Sequence, residues 1–135
     1  SSARNSKNIV ESSGTDIGGL VFDENVRTTL AFVETDEYGD RNFSFYRAPG
    51  ADMMLREDEV NVDIIKQSRV LHFGTLSMTH DVVEKATVKA IETAKDSGLL
   101  CRSTQSPSSA LGQHGQGKAK NRLRLFGERY CKNRD

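Results

Sequence analysis

Residues 27–78 read RTTLAFVETDEYGDRNFSFYRAPGADMMLREDEVNVDIIKQSRVLHFGTLSM. Two strand-like runs flank a charged turn, and an Arg-Ala-Pro-Gly loop, an acidic helix start and an apolar strand-like run follow. In residues 28–34, Leu30 and Phe32 alternate with Ala31 and Val33. In residues 41–47, Phe43 and Phe45 alternate with Asn42, Ser44 and Tyr46. Period two with aromatic and β-branched residues predicts a hairpin with one wetter face. The intervening 35–40 holds Gly39 and three acidic residues, which suits an exposed turn. A two-stranded ribbon of this kind does not sustain itself in water and calls for a partner: a second subunit, a ligand or the rest of a domain.

After the hairpin, Pro49-Gly50 punctuates the chain. Residues 57–67 read as a helix whose acidic first turn complements the helix dipole. Residues 69–74, RVLHFG, have the short apolar run of a central strand. Thr79 or Asp81 is the expected cap of a next helix reaching about Lys95 and stopping before Gly98. Its expected inward stripe is Val83, Ala86, Ala90 and Ala94, small enough for close packing on a sheet. Leu99-Leu100 opens a further strand, and strand, helix, strand in that order argues a parallel α/β sheet. Upstream, residues 1–19 read as a short helical piece containing Ile9 and Val10 and ending at Gly14, with a brief strand at 20–22.

A chain of 135 residues makes at most one domain of ordinary size. Its 36% hydrophobic and 28% charged residues allow only a lean core. No apolar run approaches the ~20 residues that span a bilayer. The opening SSARNSKNIVESSG is polar and unlike a signal segment, so a cytoplasmic origin is expected. The net charge of zero hides a split. Residues 1–99 hold 11 Lys and Arg against 17 Asp and Glu, whereas residues 100–135 hold 8 against 2. Both cysteines, Cys101 and Cys131, fall in the basic block, from which Val and Ile are absent.

The arrangement over residues 14–100 resembles the sugar-binding lid and adjoining core of the ribokinase-like (PfkB) carbohydrate kinases, fructokinases in particular. The resemblance implies an α/β fold: part of a three-layer α/β/α core (about 49–100) with a small β-sheet lid (about 27–48). In that family the outer lid strand ends in an aromatic-Tyr-Arg run, seen here as Phe45-Tyr46-Arg47, which leans over the sugar. Arg offers several fixed donors to hydroxyl oxygens, and an aromatic ring can lie against a sugar's C–H face. The plainer reading is a surface Arg beside two sheet-packing aromatics. Asp52, in the Gly50-Ala51-Asp52 turn, either accepts hydrogen bonds from the sugar or caps the following turn. Gly74 ends a core strand at its carboxyl end, where open α/β sheets place ligands; a tight strand-to-helix turn explains it equally. The resemblance further implies ATP and Mg2+ as cofactors of the parent enzyme, a sugar substrate and a homodimer formed through the lid.

The same resemblance makes this chain a piece of a kinase about twice as long. The family's Gly-Ala-Gly-Asp turn, whose helix N-terminus stabilises the transferred phosphoryl group and whose Asp is the general base, does not occur here. Gly18-Gly19 falls too close to Leu20 to stand in for the family's amino-terminal Gly-Gly segment. No ATP or Mg2+ is therefore expected on this chain, which is expected to be inactive alone.

From about residue 101 the residues stop matching the family. Reading each codon one base later permits Asp-Pro over Arg102-Ser103 and Asn-Leu-Arg over Gln105-Ser106-Pro107, with one extra codon at Thr104. Residues 108–113 permit Leu-Pro-Leu-Trp-Asp-Ser in the same shifted frame. These follow the family's continuation, so 101–135 is expected to be an out-of-frame, disordered basic tail. A genuine basic tail, including residues 118–120 and 122–124, would instead point to nucleic acid. It lacks interleaved aromatics beyond Phe126 and Tyr130, which makes nucleic acid the least favoured partner.

Other chemistry-bearing residues are weak signals. His72 is expected in the core, His80 at a helix start, and His114 falls in the tail. Glu57, Asp58 and Glu59 read as a solvated helix N-terminus rather than an acid/base pair, and no spacing suggests a metal site. A non-enzymatic alternative remains: an unpaired β lid exposes an edge and an aromatic face to another chain. The sequence leaves the choice of sugar open.

Overall fold

The computed structural model describes residues 2–47 and 49–104. Two compact units divide the chain after Leu55.

The first unit begins with α1 (Ser2–Ser12), which ends as expected at Gly14 in the left-handed region, φ +82°. No strand forms at 20–22. A strand needs a neighbour to take its backbone groups, and here Leu20 instead turns back, its N–H donating to the Ile17 carbonyl at 2.9 Å. The hairpin is present as β1 (Leu30–Thr35) and β2 (Arg41–Tyr46), paired antiparallel. Asp36 builds its turn: Oδ1 accepts from the N–H groups of Tyr38 and Asp40, each at 2.9 Å. Gly39, at φ +85°, supplies the left-handed residue such a turn needs.

Register decides the faces. Ala31 pairs Phe45 and Val33 pairs Phe43, so these four share one face, where Phe43 and Phe45 stack with centroids 6.1 Å apart. Leu30, Phe32 and Tyr46 occupy the other face with Glu34, Asn42 and Ser44. The wetter face is thus also part apolar, and the two strands' large side chains are divided between opposite sides.

In the second unit the helix expected over 57–67 is broken in two. Glu57–Glu59 make one 3-10 turn closed by Arg56 and Glu59, and α2 spans only Val62–Gln67. Val60 and Asn61 between them are extended, because Asn61 caps α2 through a 3.2 Å bond from the Ile64 N–H, and a capping residue lies outside helical geometry. Asn61→Ala should cost about 1 kcal/mol of stability, and Asn61→Ser should recover most of it; a urea melt in which both variants match the native chain would remove the cap from the account.

β3 (Val70–Gly74) and β4 (Leu100–Thr104) pair in parallel, with a 3-10 turn (Thr75–Met78) and α3 (Asp81–Asp96) between them. A parallel pair needs such a crossover. His80, not Thr79 or Asp81, caps α3: its Nδ1 accepts from the Val82 N–H at 3.4 Å, while the Thr79 hydroxyl donates to the Leu76 carbonyl and closes the preceding turn. The buried face of α3 is Val83, Ala86, Thr87, Ile91 and Ala94. Ala90 is only half-buried, and the bulk falls to Ile91, which with Met78 anchors a core flanked by Leu71, Phe73, Val88 and Cys101.

Two further expectations are corrected here. His72 is exposed, because β3 turns Leu71 and Phe73 toward the core and alternation places His72 on the opposite face; its Nε2 lies 2.8 Å from the Thr104 hydroxyl. The stretch expected not to pack from about residue 101 begins inside a strand: residues 101–104 continue β4 in register with β3, and Cys101 packs on the core. Residues 105–135, including Cys131 and the remaining basic tail, lie outside the described residues.

Candidate functional site

Below the hairpin the chain is stitched to itself. The Ala51 N–H donates to the Arg27 carbonyl at 3.0 Å, joining the approach to β1 with the exit from β2. One step further, the Thr29 hydroxyl donates to Asp52 Oδ1, and Arg47 Nη2 donates to Asp52 Oδ2. Asp52 stands in the 3-10 turn Ala51–Met53, which begins after Gly50. Gly50 is buried, and a Cβ there would collide with Thr29 Oγ1 and come within 2.6 Å of Asp52 Oδ1. A residue with a side chain at 50 therefore requires Thr29 to turn away from the carboxylate.

Arg47 is the more enclosed partner, its side chain 15% exposed against 48% for Asp52. Its Nε is buried and, among the described residues, has no hydrogen-bond partner. A buried guanidinium donor without an acceptor calls for one. The cluster is thus a carboxylate with both oxygens engaged and a cation whose buried Nε has no acceptor among the described residues. It can orient a polar ligand.

Of the five residues singled out from sequence, Arg47 and Asp52 are brought into contact. Phe45 and Tyr46, being adjacent in β2, present to opposite faces, and Tyr46 is 71% exposed. Gly74 belongs to the second unit, where its carbonyl accepts from the Ser77 hydroxyl at 2.7 Å and ends β3 in a tight turn. Thr29 was missed. The hairpin register continued by one step from Leu30↔Tyr46 sets position 29 opposite 47, and that register is the signal that points to it.

Among the described residues, the groove along α3 does not suit a triphosphate. The groove along α3 is lined by four carboxylates, Glu57, Asp81, Glu84 and Glu92, against Lys85 and Lys89. The first turn of α3 is itself acidic, which opposes an anion at that helix start. Among the described residues no group of three or more His, Cys, Asp or Glu is placed to hold a metal ion. No step is derived through either group.

The described residues thus hold a β-hairpin unit and an α/β crossover unit. The profile of the pfkB family carbohydrate kinases matches residues 3–118, further than the limit near residue 100 expected from the sequence, and the chain belongs to that family. It is 44% identical over 93 residues to the probable fructokinase-5 of Arabidopsis thaliana, covering 69% of this chain and 29% of that protein. It is 46% identical over 92 residues to fructokinase-1 of Zea mays, covering 68% and 28%. Among solved structures, the fructokinase from Xylella fastidiosa superposes with a TM-score of 0.69 at 26% identity, over 76% of this chain and 32% of that one. A second structure of that enzyme, with bound ATP, gives 0.65 at 28% identity, over 71% and 29%. The chain therefore spans less than a third of the length of these curated relatives. The fold is accordingly ribokinase-like, in part.

Proposed function

We propose that this chain is the lid and first core segment of a fructokinase-like enzyme that transfers a phosphoryl group from ATP to a sugar hydroxyl in the cytoplasm. The observation that carries the reading is the 42–46% identity to plant fructokinases over the segment that holds the Arg47–Asp52 cluster. In this reading Arg47 donates hydrogen bonds to sugar hydroxyls while Phe45 or Tyr46 lies against the sugar's apolar edge. ATP, with Mg2+, supplies the phosphoryl group in the whole enzyme; this chain's residues only bind and orient the acceptor.

Titration with D-fructose should perturb the NMR signals of Phe45, Tyr46 and Arg47 saturably. A fructose titration that leaves all three unmoved would count against the sugar reading. The 135 residues hold no Gly-Ala-Gly-Asp turn, so the purified chain is expected to release no ADP from ATP in the presence of fructose. Fructose-dependent ADP release above the background of a heat-treated sample would overturn that expectation. The out-of-frame origin of the tail stays part of the proposal; an uninterrupted reading frame encoding the same residues 105–135 in an independent nucleotide sequence would remove it.

A second reading has its own observation. Both hairpin faces carry exposed apolar side chains, Val33, Phe43 and Phe45 on one and Leu30, Phe32 and Tyr46 on the other. As an interaction module, the lid would pair with a second copy, seen as a mass that rises with concentration in sedimentation equilibrium.

A further inference from the structure

We infer that Asp52 is a specificity-determining residue: by pairing with Arg47 it removes the positive charge that would otherwise favour a sugar acid, and so selects an uncharged polyol. The inference rests on the sugar-binding reading above. An unpaired guanidinium is a strong receptor for a carboxylate, through two parallel charge-assisted bonds. Here one Nη is already committed to a carboxylate, and that carboxylate is held in place at its other oxygen by Thr29. A second carboxylate brought to the same guanidinium meets the Asp52 charge a few ångströms away, a repulsion that solvent at the half-exposed Asp52 weakens but does not remove. A hydroxyl oxygen meets no such opposition and can accept from a guanidinium N–H that Asp52 leaves open. Discrimination then comes from an element that repels the wrong ligand as much as from one that attracts the right one.

The test compares D-fructose with D-gluconate on the full 135-residue chain, reading the Arg47 Nε–Hε cross-peak by NMR. The native chain should prefer fructose by about tenfold or more. Asp52→Asn, which keeps a polar partner for Thr29 but loses the charge, should move the ratio of dissociation constants toward gluconate by about tenfold. Asp52→Ser provides a second neutral variant should the first not fold. Lys85→Ala, on the exposed side of α3 and outside the cluster, should leave the ratio within about twofold. A native chain that takes gluconate as readily as fructose overturns the inference, as does a folded neutral variant with an unchanged ratio; in both cases fructose still binds and the sugar reading stands. If neither sugar shifts the Arg47 signal in any chain, the sugar reading fails and the inference falls with it.

Discussion

Ile91→Ala should destabilise the second unit by about 2–5 kcal/mol. Ile91 is 1% exposed and shares the buried cluster with Met78, so removing three carbons leaves a cavity that Leu71, Phe73, Val88 and Cys101 can fill only in part. Among the described residues few other side chains are fully buried, which leaves little to compensate. A loss of that size is a large share of the ~5–15 kcal/mol that holds a domain folded. The measurement is a urea melt followed by helix signal: the midpoint should fall with the slope unchanged. Lys85→Ala, on the exposed side of the same helix, should stay within about 0.5 kcal/mol of the native chain. Equal midpoints for Ile91→Ala and Lys85→Ala would mean that α3 packs by another face.

Arg47→Ala should weaken fructose binding by roughly 10- to 100-fold, the equivalent of losing one or two hydrogen bonds from a charged donor. It also strands Asp52, which then turns toward water since it is half-exposed already. Arg47→Lys restores the charge but not the planar fork, and should recover only part of the affinity. The three titrations belong together: if Arg47→Ala binds fructose as the native chain does, Arg47 packs the base of the hairpin and does not touch the sugar. Thermal melts of the same samples separate a loss of binding from a loss of fold.

The parts of this fold that were legible in the sequence are those with strong local periodicity. Alternation in RTTLAFVET and RNFSFYR sufficed for the hairpin, and the order of apolar runs sufficed for the β3–α3–β4 crossover. Element ends were less legible. The break at Val60-Asn61 and the cap at His80 depend on which of several polar side chains reaches a backbone N–H, and neighbouring candidates such as Thr79 and Asp81 look equally able on paper. The stripe on α3 held at Val83, Ala86 and Ala94 and erred at Ala90: small residues were preferred, and Thr87 and Ile91, which helical spacing carries to the same side, were passed over.

The candidate site divides the same way. Arg47 was legible because it follows an aromatic run at a strand end; its partner Asp52 was legible only as a choice between roles, and Thr29 was not legible at all. The sequence by itself determined that a short aromatic ribbon with a terminal arginine precedes an α/β crossover, because strand and helix patterns are written in consecutive residues. Which face each aromatic takes, that His72 points away from the core, and that Thr29, Arg47 and Asp52 meet were decided only in three dimensions. Register and packing act between residues far apart in the chain, and no local pattern encodes the distance between them.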